Sequence, residues 1–345
     1  MNRASEKVVG ARAEELFAPD EATLAGCNAD IYFERSRQIL AAEDLDPVVV
    51  VEFFARQRAL LCGMREVQAL LRRVLPATAQ VWCLDEGTWI EPLEVVLRIR
   101  GPYRHFGLYE TALLGMLSSE TGWATAAAAC VASAGKVPVI CFGARHMHPQ
   151  VSARMEYAAV VGGCSGCATP AGAELAGKTA SGTLPHALIL AMGDTLAAAQ
   201  AFDRHIDPAV RRIVLVDTFT HEAEESVRVA NALKEGLWGV RLDTPSELGG
   251  VTVELVREVR QRLDQSGHEH VKIFVSGGLD LQRLQSFGAV AGLVDGFGVG
   301  SAISGAGPID FTADIKEVDN CPVAKRGRMP GIVENPRLQQ LLLNP

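Results

Sequence analysis

The sequence predicts an α/β protein whose middle portion is an irregular α/β barrel of the TIM-like kind. From about residue 136 onward, short apolar segments alternate with segments of helical periodicity. This alternation is typical of a parallel sheet covered by helices. Glycine and polar residues cluster directly after the apolar segments. In a β/α barrel those positions line one rim, where the chemistry takes place.

The predicted barrel domain occupies residues 126–304. Its strands are expected in "KVPVICFGAR", "RRIVLVDTF", "LWGVRLDT", "VKIFVSGGLD" and "GLVDGFGVGSAI". The helices between them are expected in "QVSARMEYAAVVGG", "DTLAAAQAFDRHI", "HEAEESVRVANALKE" and "PSELGGVTVELVREVRQRLDQ". Short apolar runs favour buried strands, and the longer segments carry apolar residues at helical spacing.

The first third of the chain mixes both patterns. "DPVVVVEFFARQR" and "TWIEPLEVVLRIRG" predict strands, whereas "EVQALLRRVL" and "GLYETALLGMLSSETGWATAAAACVA" predict helices. The tail "IDFTADIKEVDNCPVAKRGRMPG" alternates again and predicts strands. We therefore expect residues 305–345 to return to the domain formed by residues 1–125.

Composition limits the classes of function. With 345 residues and 48% hydrophobic content, the chain can bury a sizeable core. Its net charge of -8 provides no basic footprint for nucleic acid, although a small anionic substrate is compatible with it. The eight cysteines lack the dense spacing of a secreted disulfide scaffold, and no apolar run is long enough for a bilayer. We expect a soluble cytoplasmic protein without a membrane partner.

The stretch "GAELAGKT", residues 172–179, matches the P-loop pattern G-x-x-x-x-G-K-[ST]. A P-loop follows a buried strand and precedes a helix, but here Gly182 and Pro185 come soon after the Lys-Thr pair. We interpret "AELAG" as the end of a helix with Gly177 as its stop. The hypothesis of a P-loop NTPase is therefore the weakest, and a contact between Lys178 and a phosphate stays open.

Two glycine-containing loops follow successive predicted strands. They contain Ser276, Gly277 and Gly278 in "VSGGLD", and Gly296, Gly298 and Gly300 in "GFGVGSA". Backbone N–H groups at such turns can surround a phosphate. Tight turns that need glycine are the alternative for each loop, and two successive loops favour phosphate.

Charged residues end neighbouring strands: Asp217 in "LVDTF", and Arg241 and Asp243 in "VRLDT". Carboxylates at a rim can hold sugar hydroxyls or hydrated Mg²⁺, or stabilise positive charge on a sugar carbon. A helix N-cap is the alternative for each aspartate. Arg145 in "GARHMHP" suits bidentate capture of a carboxylate or phosphate.

Histidines and cysteines raise the question of a bound metal. His146 and His148 could share a face, but no third ligand is evident, and Cys164 and Cys167 form a CxxC pair without a second pair. We therefore predict no metal-ligand set, and small buried cysteines are the alternative interpretation. His186, in "SGTLPHALIL", is expected at the start of a strand, either as a site residue or as a structural histidine.

These motifs, in this order, resemble the short bacterial and archaeal kind of nicotinate phosphoribosyltransferase. The resemblance covers nearly the whole chain, through "DIYFERS", "GPYRHFGLYETALLGML", "GARHMHP", "SGTLPHALIL", "VDTF", "GVRLDTP", "VSGGLD" and "GFGVGS". That family is related to quinolinate phosphoribosyltransferase. The resemblance implies an open α/β sandwich built from both chain ends, with an irregular α/β barrel in the middle.

The resemblance also implies an activity. Enzymes of this family join nicotinate to phosphoribosyl pyrophosphate, which yields nicotinate mononucleotide and pyrophosphate for NAD biosynthesis. They couple this reaction to ATP hydrolysis through a phosphorylated histidine, to which His186 corresponds. ATP as co-substrate and Mg²⁺ as cofactor are therefore expected.

Further residues take roles through the same resemblance. Asp243 and Asp217 would face the ribose and Mg²⁺, and the loops that contain Gly277 and Gly298 would hold the 5′-phosphate. The expected substrate-binding residues are Tyr32, Arg35, Arg145, Thr183 and Arg241. Tyr32 matches a tyrosine that reaches a neighbouring subunit's site, which implies a homodimer or a higher homo-oligomer.

Two alternatives stay open. Quinolinate carries two carboxylates and would need more cations than Arg145 and Arg241 supply, so we favour nicotinate over quinolinate. A non-catalytic nucleotide-binding barrel is the other alternative. Archaeal relatives can carry a cysteine-rich metal knuckle at the C-terminus, but this tail contains only Cys321, so we predict no structural zinc there.

Overall fold

The computed structural model describes residues 15–343. The chain divides into two compact units. The first unit ends at Thr125 and resumes at Gly307, and the second unit is Ala126–Ala306. The predicted boundaries at residues 125 and 305 lie within two residues of these positions.

The strands of the described part follow the chain as β1 (Val48–Ala55), β2 (Ala59–Leu60), β3 (Gln80–Cys83), β4 (Trp89–Ile90), β5 (Val95–Pro102), β6 (Val139–Cys141), β7 (Gly166–Cys167), β8 (Arg212–Leu215), β9 (Leu237–Leu242), β10 (Lys272–Val275), β11 (Gly296–Val299), β12 (Phe311–Val318), β13 (Cys321–Pro322) and β14 (Gln339–Leu341).

The α-helices are Glu21–Leu24, Ile31–Ala42, Met64–Val74, Tyr103–Phe106, Glu110–Ala134, Pro149–Val161, Pro170–Leu175, His186–Met192, Thr195–His205, Glu222–Leu233, Val253–Gln265, Leu281–Ser286 and Ser301–Ser304. Short 3₁₀ helices occur at Gly107–Tyr109, Ala144–His146, Lys234–Gly236, Ser246–Leu248 and Phe287–Val290.

The first unit contains an antiparallel sheet in the order β13-β12-β1-β5-β3-β14. Strand β12 pairs with β1 so that Val49 faces Val318, which confirms the strands predicted for the tail. The helix Met64–Val74 buries its apolar stripe in the same core as β1 and β5. The predicted strand "TWIEPLEVVLRIRG" is divided into β4 and β5 because Pro92 and Leu93, with a positive φ of 67°, form a turn.

The second unit contains a parallel sheet in the order β7-β6-β11-β10-β9-β8. Phe297 on β11 faces Val139 on β6, and Phe274 on β10 faces Gly296 on β11. Among the described strands, the edges β7 and β8 do not pair with each other. The sheet is therefore a parallel half-barrel. The sequence predicts an irregular, TIM-like α/β barrel, and the structure has only part of one, because six strands pair where a TIM barrel has eight.

The structure corrects one local expectation and supports another. His186 lies at the start of a helix, because Pro185 sets its N-terminal boundary and "HALILAM" consists mostly of good helix formers. The prediction of a strand there was wrong. "GAELAGKT" contains the end of the helix Pro170–Leu175, with Gly177 at a φ of 62°, so no helix starts at the Lys-Thr pair. The P-loop hypothesis is therefore excluded.

Within residues 15–343, no helix combines the length and apolar character that a membrane span requires.

A buried carboxylate fixes the C-terminal segment to the sheet of the first unit. Glu52 on β1 is 1% exposed and accepts a hydrogen bond from Arg98 Nε at 2.8 Å. It also accepts from the backbone N–H of Val333 at 3.2 Å, and Arg98 donates to the carbonyl of Val333. Glu52 and Arg98 thus satisfy the backbone N–H and C=O of Val333, which lies in the segment between β13 and β14.

We expect Glu52→Gln to lower the free energy of unfolding by about 1–3 kcal/mol, since it leaves the guanidinium of Arg98 without its counter-charge in a mostly buried position. Glu94→Gln is the matched control, because Glu94 also contacts this segment but its partner Arg337 is 47% exposed. That control should cost less than about 1 kcal/mol. Chemical denaturation measures the free energy of unfolding of both variants. A larger loss for Glu94→Gln than for Glu52→Gln would contradict the prediction.

Candidate active site

The candidate site of the second unit lies at the C-terminal ends of its parallel strands. Neighbouring strands β6, β11, β10 and β9 run in the same direction, so their C-terminal ends share one edge of the sheet. The residues at this edge include Phe142 after β6, Asp243 after β9, Ser276 after β10 and Gly300 after β11. We call this edge, together with Thr183, His186 and Asp217, the rim.

Arg241 connects three segments of the rim. Its side chain is 13% exposed and donates to Ser276 Oγ at 2.8 Å, to Thr183 Oγ1 at 2.9 Å and to Asp243 Oδ2 at 3.0 Å. Ser276 Oγ in turn donates to Asp243 Oδ1 at 2.7 Å. A guanidinium has five N–H donors, so two of them have no acceptor among residues 15–343. Burial lowers the pKa of Arg241, and the charge of Arg145 nearby lowers it further, whereas Asp243 opposes both effects.

His186 and Asp217 form a second polar pair at the rim. His186 Nε2 lies 3.0 Å from Asp217 Oδ2, and the aspartate side chain is only 2% exposed. Burial raises the pKa of Asp217, while the hydrogen bond to His186 lowers it. If the ionised carboxylate accepts the Nε2 proton, the lone pair of the imidazole lies on Nδ1. The side chain of His186 is 40% exposed, so a reactant can approach it.

Neither aspartate caps a helix. His221 is the N-cap of the helix Glu222–Leu233, and Thr252 is the N-cap of Val253–Gln265. The alternative interpretation of Asp217 and Asp243 as helix N-caps is therefore wrong. Both carboxylates lie at the rim.

An aromatic ring at the rim was missed by the sequence reasoning. Phe142 follows β6, and Arg241 Cζ lies 5.1 Å from the centre of its ring. A Cβ placed on Gly298 would come within 2.4 Å of that ring, and a Cβ on Gly296 within 2.7 Å of Phe274. These glycines are therefore needed for close packing of aromatic rings. A single phenylalanine after a strand gave no signal by which the sequence could have identified it.

The loop after β10 contains two glycines at positive φ and has a cation behind it. Gly277 and Gly278 have φ values of 90° and 59°, which favour glycine. Arg283 Nη1 donates to the carbonyls of Gly277 at 3.1 Å and Gly278 at 3.4 Å, and Nη2 donates to Val251 O at 3.0 Å. The C=O and N–H of a trans peptide point in opposite directions. The N–H groups of Gly278 and Leu279 therefore point away from Arg283.

Those two N–H groups have no acceptor among residues 15–343. They are thus available to an anion. Gly250 makes room for the guanidinium, because a Cβ there would lie 2.6 Å from Arg283 Nη2. The position of Arg283 on a short helix gave no sequence signal either.

The remaining residues of "GARHMHP" take separate positions. Arg145 is exposed on the 3₁₀ helix Ala144–His146. His146 Nδ1 lies 3.0 Å from Ser304 Oγ, and a Cβ placed on Gly300 would come within 3.0 Å of the His146 ring. His148 is the N-cap of the helix Pro149–Val161 and accepts from Gln150 N–H. The two histidines thus have different partners and do not form the metal-binding pair considered above.

Lys178 and the cysteines of the CxxC pair differ in exposure, and a possible metal-ligand set occurs in the first unit. Lys178 is exposed, while Cys164 and Cys167 are buried free thiols. Within residues 15–343, the group of side chains close enough to share a metal is Cys62, Glu86 and Glu120 in the first unit. Cys62 Sγ lies 3.1 Å from Glu86 Oε1 and 3.6 Å from Glu120 Oε2.

Tyr32 and Arg35 lie in the first unit, on the helix Ile31–Ala42. No residue of this 12-residue helix is buried. Tyr32 is 56% exposed and its hydroxyl donates to Asp30 Oδ2 at 3.1 Å. Ile31 and Ile39 are 59% and 62% exposed. This face presents Ile31, Tyr32 and Ile39 around the exposed Arg35, which lies one turn from each isoleucine, and it is uncovered in the single chain.

Comparison with known proteins assigns both units of the chain to domains of one family. Residues 30–121 match the model of the N-terminal domain of quinolinate phosphoribosyl transferase, and residues 123–314 match that of its C-terminal domain. Nicotinate phosphoribosyltransferase pncB2 of Mycobacterium tuberculosis is 34% identical over 233 residues, which are 66% of this chain and 48% of the relative. The chain spans about half the length of such curated relatives.

Two solved structures are similar to this chain. The nicotinate-nucleotide pyrophosphorylase of Pyrococcus furiosus is 43% identical with a TM-score of 0.84, covering 91% of this chain and 81% of that one. Human nicotinic acid phosphoribosyltransferase is 20% identical with a TM-score of 0.69, covering 88% of this chain and 77% of that one. The human structure supports the fold alone.

Proposed function

The chain belongs to the quinolinate phosphoribosyl transferase family, and on that premise we propose that it transfers the phosphoribosyl group of phosphoribosyl pyrophosphate to nicotinate. The products would be nicotinate mononucleotide and pyrophosphate, in NAD biosynthesis. The observation that carries the proposal is the joining of Arg241, Asp243, Ser276 and Thr183 into one network beside the His186–Asp217 pair.

The rim suits each part of this reaction. The pyridine nitrogen attacks the anomeric carbon, the bond to the pyrophosphate oxygen breaks, and positive charge develops on the sugar. Asp243 offers a carboxylate to that charge. The N–H groups of Gly278 and Leu279, which have no acceptor within residues 15–343, would hold the 5′-phosphate. Phe142 offers a stacking surface for a pyridine ring, with the guanidinium of Arg241 beside it for the carboxylate.

The carboxylates also fit Mg²⁺. Asp217 Oδ1 is buried and has no hydrogen-bond partner among residues 15–343, and the charge of Asp243 is close enough to raise the pKa of Asp217. Hard oxygen donors of this kind suit Mg²⁺. When bound, the ion would neutralise charge on the pyrophosphate group.

Coupling to ATP is part of the proposal. With its Nε2 proton held by Asp217, His186 presents the Nδ1 lone pair to the γ-phosphate. The N–P bond forms, the bond to the bridging oxygen breaks, and ADP leaves. His186 is the one histidine of the rim that hydrogen-bonds a buried carboxylate within the described part of the chain.

The test is mononucleotide formation from nicotinate, nicotinamide or quinolinate with phosphoribosyl pyrophosphate, with and without ATP. We expect product from nicotinate, a higher yield with ATP, and poor use of nicotinamide, which lacks the charge for Arg145 and Arg241. Quinolinate phosphoribosyltransferase activity is the second candidate, favoured by the two matching family models, which describe domains of quinolinate phosphoribosyl transferase. Carbon dioxide release with quinolinate would select it, and no pyrophosphate from any substrate would favour the non-catalytic barrel.

Arg283 supplies a prediction for the phosphate loop. Arg283→Ala should raise KM for phosphoribosyl pyrophosphate about tenfold, because the peptides that present Gly278 and Leu279 N–H lose their hydrogen-bond donor. KM for nicotinate should stay within about twofold. Steady-state kinetics measures both, with Arg257→Ala on a neighbouring helix as the control. An equal rise in both KM values would show a general structural defect instead.

The proposal includes a homodimer in which a second copy covers the exposed face of the helix Ile31–Ala42. Burial of Ile31, Tyr32 and Ile39 would remove this apolar area from water. Ile39→Glu is expected to yield monomers in sedimentation velocity, because a carboxylate would be buried without a partner. Leu248→Glu, at a 77% exposed position of the second unit, should leave the assembly unchanged. A dimeric Ile39→Glu protein would contradict this surface.

A further inference from the structure

A basic cavity lies in the first unit, and none of its lining residues belongs to the rim. Its volume is about 430 Å³, and Arg37, Arg73, Arg104 and His105 line it. Arg37 comes from the helix Ile31–Ala42, Arg73 from the last turn of Met64–Val74, and the other two from Tyr103–Phe106. Three helices therefore bring cationic or titratable side chains to one concave surface in a protein of net charge -8.

Most of this positive charge is not compensated. Arg37 is paired with Glu34, with Nε and Nη2 at 2.8 and 2.9 Å from the carboxylate oxygens. The guanidinium groups of Arg73 and Arg104 make no hydrogen bond or ion pair with any residue between 15 and 343. Arg104 is engaged only through its backbone N–H, which donates to Asp46. Like charges that line one cavity repel each other unless an anion joins them.

We propose that this cavity binds a nucleoside di- or triphosphate. Guanidinium groups bind phosphate oxygens in a bidentate manner, and two of them are free here. The cavity falls within the usual size range for small-molecule sites, well above the volume of a single phosphate. Leu24, Leu108 and the ring of Tyr109 supply an apolar wall for a base. The Tyr109 hydroxyl is already bound to Leu24 O at 2.9 Å, which fixes that ring.

The cavity and the exposed apolar face use opposite sides of the helix Ile31–Ala42. Phe33, Arg37 and Leu40 line a small adjoining cavity with Arg104, and their spacing places them on one helix face. Ile31 and Ile39 lie on the other face. Contact of a second chain with the outer face would thus leave the basic cavity open. The inference does not rest on the proposed transfer reaction.

The test is calorimetric titration with ATP in the absence of Mg²⁺, on protein carrying Arg145→Ala and Arg241→Ala so that the rim does not contribute. Addition of Arg73→Ala and Arg104→Ala should weaken binding at least about tenfold. Addition of Arg56→Ala and Arg326→Ala, two exposed arginines of the same unit, changes the net charge equally and should weaken it less than about twofold.

Two further arms identify the ligand class. Inorganic triphosphate should bind more weakly than ATP, and inorganic phosphate more weakly still. Equal affinities for ATP and triphosphate would overturn the assignment to a nucleotide. Absence of ATP binding, or equal weakening by both pairs of substitutions, would overturn the site itself. Because the rim is disabled in this protein, none of these results depends on whether the chain transfers phosphoribosyl groups.

Discussion

Replacement of Arg241 by lysine is expected to lower kcat/KM for mononucleotide formation by about 10²–10³-fold. Lysine keeps the charge but presents a compact ammonium in place of the planar fork. It cannot reach Ser276, Thr183 and Asp243 together and still offer donors to a substrate. Steady-state assays with nicotinate and phosphoribosyl pyrophosphate measure the effect.

Arg262→Lys is the matched control, because Arg262 is an exposed residue on the helix Val253–Gln265 of the same unit. It should keep the wild-type rate. Unchanged circular dichroism of the Arg241→Lys protein would show that the fold survives. A loss of less than about threefold would mean that Arg241 does not organise the reacting groups.

The second large effect concerns the coupling to ATP. Asp217→Asn is expected to reduce ATP hydrolysis by about 10²-fold or more, because an amide N–H can donate to His186 Nε2 and move the ring proton to Nδ1. The nucleophilic nitrogen would then be blocked. His186→Ala should abolish the stimulation of mononucleotide formation by ATP, while the reaction without ATP continues. Parallel assays of ADP and mononucleotide separate these outcomes.

His205→Ala serves as the control, since His205 is an exposed histidine in the last turn of the helix Thr195–His205. ATP hydrolysis by that variant should equal that of the wild type. If His186→Ala retained full stimulation by ATP, the phosphohistidine step would be wrong while the transfer reaction stood.

Much of the fold follows from apolar periodicity. Strands β1, β5 and β9 and the helix Glu110–Ala134 were predicted because their patterns extend over enough residues to be distinct. The seven-residue helix that starts at His186 was not predicted, since a short apolar run fits either a helix or a strand. Pro185, at the N-cap, favours the helix. The half-barrel, in which the described edge strands β7 and β8 do not pair with each other, could not be predicted, because sequence patterns give strands but not the pairing of sheet edges.

Some residues of the candidate site could be predicted from the sequence and others could not. The sequence predicted that Asp217, Arg241, Asp243 and the loop of Gly277 lie together, because polar residues at the ends of parallel strands share one edge, and the structure places them there. Phe142 and Arg283 were missed because their roles depend on what lies across the rim or behind a loop. Arg283 acts through three carbonyl groups, and carbonyl orientation leaves no trace in the residue sequence.

The antiparallel sheet joins strands from distant parts of the chain, with Val49 opposite Val318 and Gln340 opposite Trp82. On the ribosome, residues 126–306 are complete before β12 has been made, so the second unit can acquire its structure first. Until β12 emerges, the apolar strand β1 has an open edge that invites pairing with other chains. Release of the nascent chain before residue 311 would therefore leave a well-formed half attached to an aggregation-prone one.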